Sequence, residues 1–143
     1  MDILIRENFN IELYGIPGVA VTRNWTETGM GLTNKLWQEV KSNNLKHLGI
    51  NVWVYESGNK MFAGVGLKEP PSPGTLLELK KIHLPRYAYY KHVGPYDKIA
   101  ATGSKVLEEL NHKGITTSPP YLEIYGHWTE DVSKLETEML WSI

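Results

Sequence analysis

Apolar and polar residues alternate from Ile50 to Tyr55, which predicts a β-strand. Because the side chains of a strand point to its two faces in turn, Trp53 and Tyr55 share the face opposite the aliphatic residues. The turn-forming residues 57–59 follow, and they predict a hairpin to a returning strand over residues 60–67.

Two other segments carry apolar residues three or four positions apart, the spacing of an amphipathic helix. The first helix is predicted to begin near Thr28 and to end at the asparagines of residues 43–44. The second follows Asp97, a candidate N-cap residue, and Gly114 lies where a left-handed residue would end it.

The remaining alternating segments predict four further strands. They cover residues 18–25, 79–91, 121–128 and 136–143. Residues 1–8 are expected to be a frayed or edge-pairing lead.

The predicted order of strand, helix, strand, strand occurs twice, over residues of about 9–68 and 76–143, on either side of a proline-rich segment. Trp53 and Glu123 occupy equivalent positions in the two repeats. The pattern predicts one α+β domain over residues 1–143, in which the repeats pair about a pseudo-two-fold axis. Both helices should lie on one face of an antiparallel sheet, with a ligand trough on the other.

The strand over residues 121–128 places a carboxylate between aromatic rings, since Tyr121, Glu123 and Tyr125 share one face. A carboxylate in apolar surroundings is costly to desolvate unless it is paired, and aromatic faces attract cations. Glu123 is therefore the candidate centre of a binding site. The alternative is a partly solvated glutamate on the wet face of an antiparallel strand.

Aromatic residues near Glu123 in the predicted fold are the candidate walls of this site. For each of them ordinary packing in the sheet or core is the alternative. Trp53 in particular is expected to be a half-buried wall, whereas Trp37 and Trp141 are expected to belong to the core. The candidate walls are Trp25, Trp53, Tyr55, Tyr90, Tyr96 and Tyr125.

Composition narrows the range of functions. Lys and Arg total 15 against 16 Asp and Glu, so there is no basic excess of the kind that nucleic-acid binding requires. Five Trp and eight Tyr against two Phe favour a ligand surface, because their rings combine apolar contact with a polar group. With no apolar membrane-spanning run and no secretory leader, we expect a cytoplasmic protein. The chain has no Cys, and its five His show no metal-binding spacing, so neither a metal nor a cofactor is predicted.

Three segments together resemble the effector-binding domain of GyrI-like proteins and of AraC-type and MerR-type multidrug regulators of transcription. They are residues 87–99, which include Lys-His-Val-Gly-Pro-Tyr-Asp, and residues 121–125 and 138–143. The resemblance implies that Glu123 lies in an aromatic pocket, that Tyr96 lines it, and that the ligands are amphipathic, often cationic compounds.

The regulators of that family also carry a helix-turn-helix domain, for which 143 residues leave no room. We therefore expect a stand-alone ligand-binding module whose partners are hydrophobic cationic small molecules and a separate DNA-binding protein or regulator.

Two other functions are compatible with the same resemblance. In a hydrolase of reactive electrophilic compounds, Glu123 would help deliver water, with Tyr90 or Tyr125 as partner donor. A protein-interaction inhibitor, like the gyrase-inhibiting members, would act through acidic surface residues. The near-neutral charge of the chain gives that third function little support.

Overall fold

The computed structural model describes residues 1–143 as an α+β domain with two helices and six antiparallel strands, as expected. The order of strand, helix, strand, strand occurs twice along the chain. Short 3-10 turns at Tyr96–Lys98 and Val132–Lys134 precede α2 and β6. The elements are β1 (Leu4–Val19), α1 (Trp25–Ser42), β2 (His47–Tyr55), β3 (Lys60–Leu67), β4 (Glu78–Val93), α2 (Ile99–His112), β5 (Ser118–Tyr125) and β6 (Glu136–Ser142).

The six strands close into a barrel in the order β1, β3, β2, β5, β6, β4, with β4 pairing back onto β1. The inside of the barrel is filled by aliphatic and aromatic side chains, including Leu13, Val54, Phe62 and Leu122. Both helices pack on the outside. α1 covers a cluster of β2 and β3 side chains around Trp53, and α2 covers side chains of β4 and β6.

The position of the trough differs from the expected layout. The sheet face opposite the helices becomes the packed interior of the barrel, so it has no room for a ligand. The large cavity lies on the outer face of the barrel, between the two helices. Barrel closure rests on the long pairing of β1 with β4, whose partners are some 70 positions apart, for example Leu13 and Lys80.

The register of β2 and β5 agrees with the alternation predicted for both strands. Trp53 pairs directly with Glu123, and Tyr55 pairs with Tyr121. Because these residues face outward, the aromatic and acidic side chains of both repeats meet in the middle of the sheet.

The predicted strand over residues 18–25 and the expected fraying of residues 1–8 are wrong, whereas the alternative of a pairing lead agrees with the structure, because Leu4 to Glu7 pair with β4. One long strand, β1, ends at Val19, and α1 begins six residues later, before the predicted start. The chain leaves the extended conformation after Val19 and turns into α1 at Arg23, which has a φ of 60°. Asn8 also has a positive φ, of 59°, but β1 keeps the same register with β4 on either side of it.

The start of the second helix also differs. Asp97 lies within the 3-10 turn rather than at the helix N-cap, and Lys98 precedes α2 without a side-chain capping bond. The predicted turn residues agree with the structure. Gly114 ends α2 at a φ of 71°, and Gly58 and Asn59 form the β2–β3 turn with positive φ values.

Gly29 lets α1 approach the sheet closely. A Cβ atom added there would lie 2.5 Å from the indole ring of Trp53, whereas nothing lies within 4 Å of one added at Gly31. We expect Gly29→Ala to lower the free energy of unfolding by roughly 1 to 2 kcal/mol, because overpacking outweighs the gain in helix propensity. The matched control Gly31→Ala should raise it by about 0.5 to 1 kcal/mol. Urea denaturation of both variants measures the difference, and equal stabilities would contradict the close packing of α1.

Candidate functional site

A cavity of about 1070 Å³ opens between α1 and α2, with β2 and β5 as its floor. Apolar side chains such as Met30 and Leu107 contribute to its helical walls, and Arg23 and Asp97 lie among its polar residues. Six of the seven candidate site residues line it: Trp25, Trp53, Tyr55, Tyr96, Glu123 and Tyr125.

The carboxylate of Glu123 accepts hydrogen bonds from three tyrosine hydroxyls. The hydroxyl of Tyr55 donates to Oε1 at 2.9 Å and that of Tyr125 to the same oxygen at 2.5 Å. The hydroxyl of Tyr121 donates to Oε2 at 2.7 Å. Each carboxylate oxygen has two lone-pair positions, so Oε1 is fully occupied and Oε2 keeps one position free.

Glu123 is 7% exposed. None of the ion pairs of the structure includes it, since all five join other residues. The three hydrogen-bond donors of Glu123 are tyrosine hydroxyls, which carry no charge. A buried carboxylate without a cation leaves charge uncompensated in apolar surroundings, a costly arrangement for the free energy of folding.

The three tyrosines keep their protons firmly. Burial raises the pKa of Tyr55, Tyr121 and Tyr125 above its ordinary value, and the nearby charge of Glu123 raises each pKa further. The phenol groups therefore remain donors at neutral pH.

The aromatic rings of the cavity form two connected rows. In the first row Trp25 contacts Tyr55, Tyr55 contacts Tyr121, and Tyr121 stacks on Trp141 with ring centroids 4.8 Å apart. In the second row Tyr125 contacts the rings of Trp53 and Tyr96 at centroid distances of 5.4 and 5.7 Å. Glu123 is bonded to members of both rows, so its carboxylate links them.

Trp53 lines the cavity but is not half-buried as expected. It is 8% exposed, because α1 packs directly on its ring at Gly29. Its indole Nε1 donates to the hydroxyl of Thr33 at 2.9 Å. Trp53 therefore belongs to the core beneath α1 and to the cavity wall at once.

Tyr90 is the one candidate residue that the structure does not bring into the cavity lining. In the row of paired residues that crosses the sheet, Glu123 is next to Met139, and Met139 is next to Tyr90. Two strand spacings of about 4.8 Å each therefore separate the backbones of Tyr90 and Glu123. Met139 between them is fully buried, and Tyr90 packs against the same cluster under α2.

Trp141, predicted as a core residue, both packs in the core and lines the cavity. Trp141 reaches the cavity because it pairs with Tyr121 across β5 and β6. The register of this hairpin is the signal from which its position could have been predicted. At the cavity rim the structure adds Glu56, which pairs with Lys80 at 2.7 Å.

No group of three or more His, Asp or Glu side chains is arranged to hold a metal ion. Neither helix is both long enough and apolar enough to cross a membrane.

The sequence matches no family model and no curated protein significantly. Solved structures do match, among them a putative bacterial transcription regulation protein from Staphylococcus aureus, at a TM-score of 0.68 and 16% identity, over 99% of this chain and 97% of its own. The C-terminal domain of EcmrR matches at a TM-score of 0.74 and 14% identity, over 99% of this chain and 96% of its own. The chain has the GyrI-like fold.

Two other matches with this GyrI-like fold differ in their described roles. SAV2435 bound to tetraphenylphosphonium matches at a TM-score of 0.65 and 18% identity, over 99% of this chain and 93% of its own. A hydrolase from Listeria innocua matches at a TM-score of 0.60 and 10% identity, over 98% of this chain and 90% of its own. Proteins with this fold therefore include a transcription regulation protein, a protein bound to an aromatic cation and a hydrolase.

Proposed function

We propose that the cavity between α1 and α2 binds amphipathic aromatic cations, with Glu123 as their counter-charge. The observation that carries this proposal is the buried carboxylate of Glu123, which has three neutral donors and no cationic partner. A bound cation would compensate the charge that the folded chain leaves uncompensated.

The hydrogen bonds of the site favour cations with delocalised or shielded charge. Three of the four lone-pair positions of the carboxylate are occupied by tyrosine hydroxyls, so a ligand that needs several hydrogen bonds gains little. The ring faces attract positive charge without directional bonds. Tetraphenylphosphonium, the ligand of SAV2435, has these properties and is a suitable probe.

We further propose that occupancy of the cavity is a regulatory signal, which this cytoplasmic module passes to a separate DNA-binding regulator. The fold that it shares with regulator domains supports this role.

Calorimetry with two probes of the same shape and opposite charge tests the binding proposal. Tetraphenylphosphonium is expected to bind at least about tenfold more tightly than tetraphenylborate, a difference of about 1.4 kcal/mol. Binding should also raise the melting temperature, because a ligand that binds only the folded state stabilises it. Equal affinities for the two ions would refute the role of Glu123 as a counter-charge.

Hydrolysis is the second candidate function, favoured by the shared fold with a hydrolase. Oε2 of Glu123 keeps one free lone-pair position, which could accept a proton from an attacking water molecule. The bound compound should be recovered intact after long incubation if the site only binds. Steady conversion of an electrophilic probe by the parent, and its loss in Glu123→Gln, would favour the enzyme instead.

A further inference from the structure

His92 is a buried polar residue outside the carboxylate network. It lies near the end of β4, is 7% exposed, and has hydrogen-bond partners for both ring nitrogens. Nε2 lies 3.1 Å from the carbonyl oxygen of Pro95, and Nδ1 lies 2.9 Å from the hydroxyl of Thr102 on α2. Because a carbonyl oxygen only accepts, Nε2 carries a proton, and in the neutral ring Nδ1 accepts from Thr102.

The segment that His92 holds leads directly to the cavity. Gly94, at a φ of 137°, donates its backbone N–H to the carbonyl of Leu135 at 2.7 Å, and Pro95 accepts from His92 one residue later. The next residue is Tyr96, which is 41% exposed and whose ring lies edge-on to that of Tyr125. The side chain of Tyr96 is therefore oriented mainly by the anchored backbone of the 94–96 segment and by its contact with the ring of Tyr125.

We propose that His92 is a positioning residue, which fixes the 94–96 segment so that Tyr96 stands against Tyr125 as one wall of the cavity. Its bond to Thr102 ties the same segment to α2, the helix that forms that side of the cavity. The effect of His92 on ligand affinity rests on the proposed cation-binding function. Its effect on the position of Tyr96 does not.

Two amide substitutions that differ by one methylene separate positioning from general packing. In His92→Gln the side-chain amide can replace Nε2 and donate to Pro95. In His92→Asn the shorter amide stops near the position of Nδ1 and cannot reach that carbonyl. Thr102→Val removes the other bond and leaves Pro95 anchored. His83→Gln is the matched control, since His83 is an exposed histidine of the same strand that bonds Asn10, and neither residue lines the cavity.

Nuclear Overhauser contacts between the rings of Tyr96 and Tyr125 report the position directly, without ligand. We expect these contacts in the parent, His92→Gln, Thr102→Val and His83→Gln, and their loss in His92→Asn. Contacts retained in a folded His92→Asn variant would overturn the proposal. Should His92→Asn fail to fold, His92→Gln still decides, because loss of the contacts in a variant whose amide reaches Pro95 would overturn the proposal.

Affinity for tetraphenylphosphonium supplies the second measurement. His92→Asn should weaken binding by about 5- to 10-fold and His92→Gln by less than about twofold, and His92→Asn should have no further effect in a Tyr96→Ala background. Additive losses in the double variant would show that His92 acts independently of Tyr96 and would overturn the proposal. A parent that binds no tetraphenylphosphonium would refute the cation site instead, and the ring contacts alone would then decide the role of His92.

Discussion

Glu123→Gln is expected to fold normally and to bind tetraphenylphosphonium about 1 to 3 kcal/mol more weakly than the parent, a loss of roughly 5- to 150-fold. The substitution removes the charge but keeps the shape, and the amide can still bond the surrounding tyrosine hydroxyls. Affinity for neutral aromatic ligands should change far less, because their binding does not use the charge. Calorimetry gives both affinities, and thermal unfolding checks the fold.

Glu138→Gln is the matched control for this experiment. Glu138 also accepts a tyrosine hydroxyl bond, from Tyr89 at 2.7 Å, but it does not line the cavity. Glu138→Gln should leave the dissociation constant for tetraphenylphosphonium unchanged. If Glu123→Gln also bound the cation with the affinity of the parent, Glu123 would be a structural acid held by its tyrosines.

Trp53→Ala is expected to lose about 3 to 5 kcal/mol of stability, the scale for truncating a fully packed tryptophan. The close contact with α1 at Gly29 and the bond to Thr33 are both lost with the ring. Because the ring also lines the cavity, affinity for the cation should fall by about 1 to 2 kcal/mol. Urea unfolding and calorimetry on the same preparation separate the two losses.

Trp37→Ala provides the comparison for Trp53. Trp37 is a half-buried tryptophan, bonded through Nε1 to Asn51 at 2.8 Å, and it lies outside the cavity lining. Trp37→Ala should lower the free energy of unfolding without changing the affinity for tetraphenylphosphonium. A Trp53→Ala variant that also binds normally would place its ring outside the functional wall, whereas one that unfolds like the parent would contradict its packing beneath α1.

The floor of the cavity could be predicted from sequence because it depends on local rules. The alternation within β2 and β5 determines which side chains share a face, and the similarity of the two halves suggested that Trp53 and Glu123 face each other. Both inferences need only a few consecutive residues and one long-range comparison. The internal duplication itself stays a prediction.

The places of Tyr90 and Trp141 could not be derived in this way, because they depend on strand order. Nothing local indicates that β6 lies between β5 and β4, the arrangement that removes Tyr90 from the site and brings Trp141 into it. Barrel closure, which moved the cavity to the helical side, likewise depends on pairing between distant residues.

The pairing of the long strand β1 also bears on how another protein could attach to this domain. Leu4 to Leu13 pair with β4 on one side, while pairing with β3 begins only at Tyr14, so the other backbone edge of this stretch has no strand beside it and could take a partner strand by β-augmentation. A partner could also recognise side chains of the helices, the loops or the outer strand faces. α1 and α2 each turn one side to the cavity and the other to solvent. A protein docked on the solvent side of these helices would therefore respond to a bound ligand through the helices, without touching the ligand.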